Sequence, residues 1–193
     1  LVYDGRRLVG FNTDATGGYA ALSRALADQG LAAKGLNVAI VGTGGTARAL
    51  GYAVRSAGAS VLVAGRSEER GRALVRALSG RFVKVSDLAR RRYDVLVNCT
   101  PVGMATNGHP SPGELPVSPS AIKGKLVYDV VYAPMETALL KAARARGIPT
   151  LGGIEMLVEQ AAEQYQLFSG RLAPIDMMRE AVRQELHQNR RIG

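Results

Sequence analysis

The residues best placed to do chemistry stand at the end of an apolar run. Val38-Ala39-Ile40-Val41 leads straight into Gly42-Thr43-Gly44-Gly45-Thr46-Ala47 and then into small, helix-forming residues. In such a turn the first glycine allows the tight bend and the second lets the backbone approach a pyrophosphate. Ala47 in the third place permits close packing of helix on strand, the G-x-G-x-x-A variant of the dinucleotide fingerprint. The phosphates would rest on the free N–H groups that open the helix. A tight packing turn that holds no ligand is the competing reading of these glycines taken alone.

A second apolar run, Ser60-Val61-Leu62-Val63-Ala64, ends in Gly65-Arg66-Ser67, near the point where an acidic residue would bind the ribose hydroxyls of NAD. No carboxylate stands there. A carboxylate would repel a 2′-phosphate, whereas Arg66 can pair with one through a bidentate fork, with Ser67 and Arg70 as further donors. The pattern favours NADP(H) as cofactor. Against it stands the plainer reading of Arg66 and Arg70 as the solvated start of the next helix.

The elements that must position these groups alternate along the chain. Strands are expected near 37–42, 60–64, 81–85, 93–98, 125–130 and 148–151, and helices near 15–29, 45–57, 67–79, 136–146, 154–169 and 174–188. Short glycine-containing connections join them, the pattern of an α/β fold with a doubly wound parallel sheet and flanking helices. Tyr19, Ala20, Leu22 and Leu26 recur at helical spacing in the first helix, which Gly30 ends. The segment 105–121, rich in Pro, Ser and Gly, reads as the one flexible loop. Residues 1–11 look like two strand-like pieces around the Asp4-Gly5 turn.

At 193 residues the chain fits one α/β domain with appended helices. Its net charge of +9 raises the question of nucleic acid. The arginines are scattered, however, Arg90-Arg91-Arg92 is their only run, and few aromatics are available for base stacking. That run reads as a solvated helix end, so no nucleic-acid partner is expected. A basic surface would also draw in an anionic cofactor or substrate. The single Cys99 rules out an internal disulfide and suits a reducing compartment. His109 and His187 form no metal site with it at a recognised spacing. No uninterrupted apolar run would span a bilayer, and a cytoplasmic location without a membrane partner is expected.

A series of signatures, in order along the chain, resembles shikimate dehydrogenase. Gly10-Phe11-Asn12-Thr13-Asp14 is similar to the G-x-N-T-D segment of that family, and 42–47 to its glycine turn. Gly65-Arg66-Ser67 stands where the family has Asn-Arg-Thr. Asn98-Cys99-Thr100-Pro101-Val102-Gly103-Met104 resembles its N-x-T-P-x-G-M loop. Asp129-Val130-Val131-Tyr132 and the stretch from Gly153-Ile154-Glu155-Met156 to Gln160-Ala161 complete the series. The resemblance implies a Rossmann-like fold and NADPH-dependent reduction of 3-dehydroshikimate to shikimate, on the route to chorismate and the aromatic amino acids. It also implies the residues. Asp14 is half of a catalytic Lys–Asp pair, Tyr132 and Gln160 face the substrate, and the nicotinamide lies near Val130 and Gly153 with Met156 behind it and Thr100 on the same edge. The plainer roles are an N-cap for Asp14, a half-buried tyrosine, a solvated glutamine and a core methionine. Cys99 reads as a small buried filler.

The departures matter as much. The family places a substrate-binding domain, with the catalytic lysine, before the G-x-N-T-D segment. Lys34, in the loop before the glycine-rich strand, is a surface lysine and no substitute. The division expected is 1–35 as a remnant of the substrate domain and linking helix, 36–152 as the NADP-binding domain, and 153–193 as helices that pack on the substrate domain. The chain then reads as a cofactor half whose partner is the missing domain or another chain supplying it, with dehydroquinate dehydratase upstream in a fusion as one arrangement. Leu172, Ile175, Met177, Met178 and Val182 would be left exposed, which predicts self-association, for example as a homodimer. Gly65 removes one side-chain hydrogen bond near the adenosine ribose. A quinate-type dehydrogenase and a non-catalytic NADP-binding module are the competing functions.

Overall fold

The computed structural model describes residues 1–3, 5–105 and 113–189. Two short antiparallel strands, β1 (Val2–Tyr3) and β2 (Leu8–Val9), open the chain, with Val2 opposite Val9. Helix α1 (Thr13–Ala27) follows, and then an alternation of β3 (Asn37–Val41), α2 (Gly45–Ser56), β4 (Ser60–Gly65), α3 (Glu68–Leu78), β5 (Arg81–Lys84), β6 (Val95–Asn98), β7 (Leu126–Asp129), α4 (Ala138–Arg144), β8 (Thr150–Leu151), α5 (Gly153–Ser169) and α6 (Ile175–Asn189). Strands β3 to β8 form one parallel sheet in the order β5-β4-β3-β6-β7-β8. That is the Rossmann order, reversing direction between β3 and β6, where such sheets open a crevice for ligands.

The strands read as continuous apolar runs because helices and turns cover both faces. Val38, Ile40, Val61, Val63, Val95, Val97 and Tyr128 face one core with Leu22 and Leu26 of α1, Leu50 of α2, Leu74 of α3 and Met156 of α5. Ala39, Val41, Leu62, Ala64, Leu96 and Val127 face the other with Leu139 and Ala143 of α4. The second face is more thinly dressed. Among the described residues, the chain makes a 3-10 turn, Val85–Arg90, between β5 and β6, and another, Pro119–Ala121, between β6 and β7.

The N- and C-terminal parts of the chain share the first core. Helix α1 lies along α5, and the approach depends on Gly17 and Gly18. A Cβ on Gly17 would stand 2.6 Å from the Gln160 backbone nitrogen, and one on Gly18 would press on Leu50 and the Met156 sulfur. Three polar links tie the two helices together: Thr16 to Glu163, Arg24 to Glu159, and Gln164 Nε2 donating to Thr13 Oγ1 at 3.0 Å.

Several expectations are corrected. Asp14 does not cap the first helix: α1 starts at Thr13, and Asn12 is the N-cap, its side chain accepting from the Ala15 N–H at 3.3 Å. The segment expected as a flexible loop is anchored in its later part, where Val117 and Ala121 are buried and Tyr93 donates to the Ala121 carbonyl; residues 106–112, with His109, lie outside the described residues. Of the five side chains expected to be bare, Leu172 and Met177 are exposed, while Ile175, Met178 and Val182 are partly covered. The reason is that α6 folds back on α5, held by Arg179 and Arg183 on Glu155 at 3.0 and 3.5 Å. Arg90, Arg91 and Arg92 are exposed at the end of a 3-10 turn, as a solvated helix end should be. Among the described residues no helix is long and apolar enough to cross a membrane, and no three His, Cys, Asp or Glu side chains could share a metal ion.

Candidate active site

The glycine turn closes as its residue types require. Gly42 has φ +116°, and a Cβ there would meet the Cys99 carbonyl oxygen at 2.9 Å, so this first glycine is fixed by conformation and by space. Ala47, in the first turn of α2, is fully buried. Gly44 and Gly45 differ: neither has positive φ, and a Cβ on either would touch nothing. The fold does not demand glycine at these two positions. Gly44 is the N-cap of α2 and offers no side chain to the helix's first N–H groups, which leaves backbone donors facing open space as an anion cradle.

That space is a cavity of about 540 Å³. Gly42, Thr43 and Gly44 form one wall; Gly65, Arg66, Ser67 and Arg70 form the second; Cys99, Thr100, Pro101 and Glu114 are on the third. Arg66, Ser67 and Arg70 are exposed. Ser67 is the N-cap of α3, its Oγ accepting from the Arg70 N–H at 3.3 Å. The hydroxyl hydrogen remains available to a ligand. The nearest carboxylate in sequence, Glu68, does not line the cavity; it binds Arg72, which holds its carboxyl below the usual range.

Beside this cleft lies a smaller hollow of about 250 Å³, lined by Asp14 of α1, Thr46 of α2, Met104, Val130 and Tyr132 after β7, and Gly153, Met156, Leu157 and Gln160 of α5. Asp14, Tyr132 and Gln160 thus converge from three distant parts of the chain. Gly153 sits there by necessity, since a Cβ would stand 2.3 Å from the Val130 carbonyl oxygen. Lys34 is exposed in the loop before β3, at the opposite end of the sheet, with its stem against Gly58. Cys99 is half-buried, and burial with the Asp129 carboxylate nearby pushes its thiol up, which suits a filler rather than a nucleophile.

Comparison with known proteins shows what the chain resembles. The model for the shikimate 5'-dehydrogenase C-terminal domain matches residues 153–183, and that for coenzyme F420-dependent NADP oxidoreductases matches 37–131. The NADP(+) shikimate dehydrogenase of Archaeoglobus fulgidus is 40% identical over 182 residues, 90% of this chain and 64% of the relative. The chain is similar to the shikimate dehydrogenases. It matches the C-terminal portion and spans about 64% of the length of such relatives. Among solved structures, the Thermus thermophilus shikimate 5-dehydrogenase in complex with NADP(H) and shikimate superposes with a TM-score of 0.76 at 33% identity, covering 92% of this chain and 64% of that one. The quinate dehydrogenase of Corynebacterium glutamicum in complex with NAD gives 0.75 at 34%, covering 89% and 61%.

Between the two cavities the carboxyl edge of the sheet holds a buried polar network. Asn98, Asp129 and Thr137 are all fully buried. Asp129 accepts from Asn98 Nδ2 at 2.9 Å, from the Val131 N–H at 3.1 Å and from the Thr137 hydroxyl at 2.6 Å. Asn98 Oδ1 accepts from both the backbone N–H and the hydroxyl of Thr100, at 3.0 and 2.7 Å. Thr137 caps α4 by accepting from the Leu140 N–H. Burial pushes the Asp129 carboxyl up to about 6 in spite of its three donors. The network joins the Thr100 loop to the Val130–Tyr132 segment, and so holds one wall of each cavity. The available signal was a carboxylate and an amide each ending a strand at the ligand edge, paired in register as Asn98 and Asp129.

Proposed function

We propose that this chain binds NADP(H) and forms the cofactor side of an enzyme that interconverts 3-dehydroshikimate and shikimate. The observation that carries the reading is the gathering of Asp14, Tyr132 and Gln160 around one hollow that adjoins the glycine-turn cleft. The names of the Archaeoglobus and Thermus relatives support the same cofactor and substrate. Residues 36–152 act as the dinucleotide-binding domain, and 1–35 with 153–193 present Asp14 and Gln160 towards a substrate domain.

Each role rests on the chemistry of the residue. Backbone N–H groups from Gly44 to Thr46 hold the pyrophosphate, with Gly44 and Gly45 bare so that it can come close. Arg66 and Arg70 pair with the 2′-phosphate, and Ser67 donates its free hydroxyl proton. Thr100, fixed by Asn98, with Val130, Gly153 and Met156, lines the way to the nicotinamide. NADPH supplies the hydride for the ketone carbon. Asp14, coupled to a lysine from the substrate domain, holds the proton that passes to the substrate oxygen. Tyr132 and Gln160 orient the substrate hydroxyls. The similarity to the quinate dehydrogenase supports a second reading with quinate as substrate.

The test is a titration of the chain with NADPH and NADH, followed by a shikimate-plus-NADP⁺ assay, alone and with a substrate domain upstream. NADPH binding without turnover in the chain alone, and turnover once the domain is present, is the expected result. In the active form Asp14→Asn should lower kcat by about 10²–10⁴-fold. Failure to bind NADPH, or unchanged kcat in the variant, would overturn the assignment. Faster turnover of quinate than of shikimate would select the second reading.

A further inference from the structure

At the far end of the sheet from these cavities, the thin covering of the second face leaves a hollow of about 350 Å³ lined by Leu62, Arg81, Phe82, Arg90, Arg91 and Arg92. Its origin is topological. Arg81 starts the edge strand β5 opposite Leu62 of β4, and the crossover to β6 is the 3-10 turn Val85–Arg90 rather than a full helix. Among the described residues no helix lies over this corner, and the arginines that end the turn gather around Leu62. Leu62 is buried and forms the apolar floor, whereas Phe82 turns its half-buried ring to the other face of the sheet, against Gly71, and offers the hollow only its backbone.

The charges here are unbalanced. Asp87 is matched to Arg90 at 3.8 Å, and Asp94 is engaged by the Asn37 N–H at 2.9 Å and by Lys125 at 3.2 Å. Among the described residues no carboxylate lies within ion-pair distance of Arg81, Arg91 or Arg92. Lys123, nearby, rests over the Tyr93 ring and donates to the Ala89 carbonyl. Three uncommitted guanidinium groups, with Arg90 beside them, make an array of forked donors suited to phosphate oxygens. The volume falls within the range of small-molecule sites, about 300–1,000 Å³.

We propose that this hollow is a second anion site, distinct from the cofactor cleft, which takes a small phosphate-bearing molecule. Its phosphate is gripped by Arg81, Arg91 and Arg92 while the rest of the molecule lies over Leu62. The small volume and the gathering of the arginines at one corner argue for a compact phosphate ester rather than a polymer, which an extended stripe of basic residues would suit better.

The probe is inorganic pyrophosphate, titrated into the full chain while arginine side-chain N–H signals are followed by NMR. Saturable one-to-one shifts at Arg81, Arg91 and Arg92 are expected. They are separable from any response at Gly44–Thr46. The double variant Arg91→Gln, Arg92→Gln should weaken binding at this hollow by about tenfold or more and leave the glycine-turn response unchanged. Arg81→Gln carries the same expectation should the double variant fold poorly. Shifts confined to the glycine turn, or non-saturating shifts equal to those with sulfate at matched ionic strength, would overturn the proposal. So would a single-stranded oligonucleotide that engages these arginines more than tenfold tighter than pyrophosphate, which would make the hollow part of a nucleic-acid surface.

Discussion

At the β3–β4 side of the carboxyl edge, Arg66, Ser67 and Arg70 stand exposed and the N–H groups of the glycine turn face open space. Along the same edge, at the β6–β7 side, Asn98, Asp129 and Thr137 have lost all exposure and answer one another with short hydrogen bonds. The first region recognises and the second holds still. Polar groups meant for a ligand must be kept away from internal partners, whereas those that fix a loop must find every partner inside, because a buried polar group left unmatched costs more than a made bond returns. A binding site of this kind therefore needs both: donors left open, mounted on walls that are closed.

Substitutions can break that division. The largest effect is expected from Asp129→Ala, which strands the amide of Asn98, the Val131 N–H and the Thr137 hydroxyl. Urea unfolding should show a loss of about 3–5 kcal/mol; a loss below about 1 kcal/mol would erase the contrast. Next, Gly153→Ala forces a Cβ against the Val130 carbonyl and should cost about 1–3 kcal/mol of stability. On the recognising side the pattern reverses. Arg66→Gln should leave the melting temperature in place yet weaken NADPH about tenfold or more, with NADH unaffected. Gly44→Ala, whose Cβ meets no protein atom, should likewise leave the fold intact and weaken both nucleotides. Equal loss of stability and binding in either variant would merge the two regions.

The smallest effect is one of pH. The folded Asp129 carboxyl titrates near 6, above its ordinary value of 3.8. Between those values the folded chain keeps a proton that the unfolded chain has released, so this group's contribution to stability falls as pH rises through the window. Going from pH 7 to 5 should stabilise the wild type by about 1 kcal/mol relative to Asp129→Asn, as read from paired urea midpoints.

What could be read from the residues follows the same line. Parallel strands buried on both faces announce themselves as unbroken runs such as 38–41 and 61–64, and the glycine turn carries its own constraints within six residues. Helix limits held within about three residues. The cap of α1 was misplaced because Asn12, Thr13 and Asp14 are all capping types and only the backbone chooses among them. The 3-10 turns escaped because, at six and three residues, they are too short to repeat an apolar stripe. The Asn98–Asp129–Thr137 network joins residues that are far apart in the chain, and no local pattern reports such a pairing. Asp14, Tyr132 and Gln160 were found through family resemblance; their meeting depends on Gly17 and Gly18, whose role appears only when α5 is laid against α1.

That meeting has a mechanical consequence. Helices that touch backbone to backbone, as α1 does with α5 at Gly17 and Gln160, have no layer of side chains on which to slide, so they turn as one arm fastened to the sheet. Any swing of the β1–β2 hairpin relative to the rest must then be taken up before Thr13, in Gly10-Phe11-Asn12, a stretch with neither helix nor strand to stiffen it. Asp14 lies just beyond that joint, on the stationary side. The carboxylate keeps its distance from Gln160 while the chain ahead of it is free to pivot.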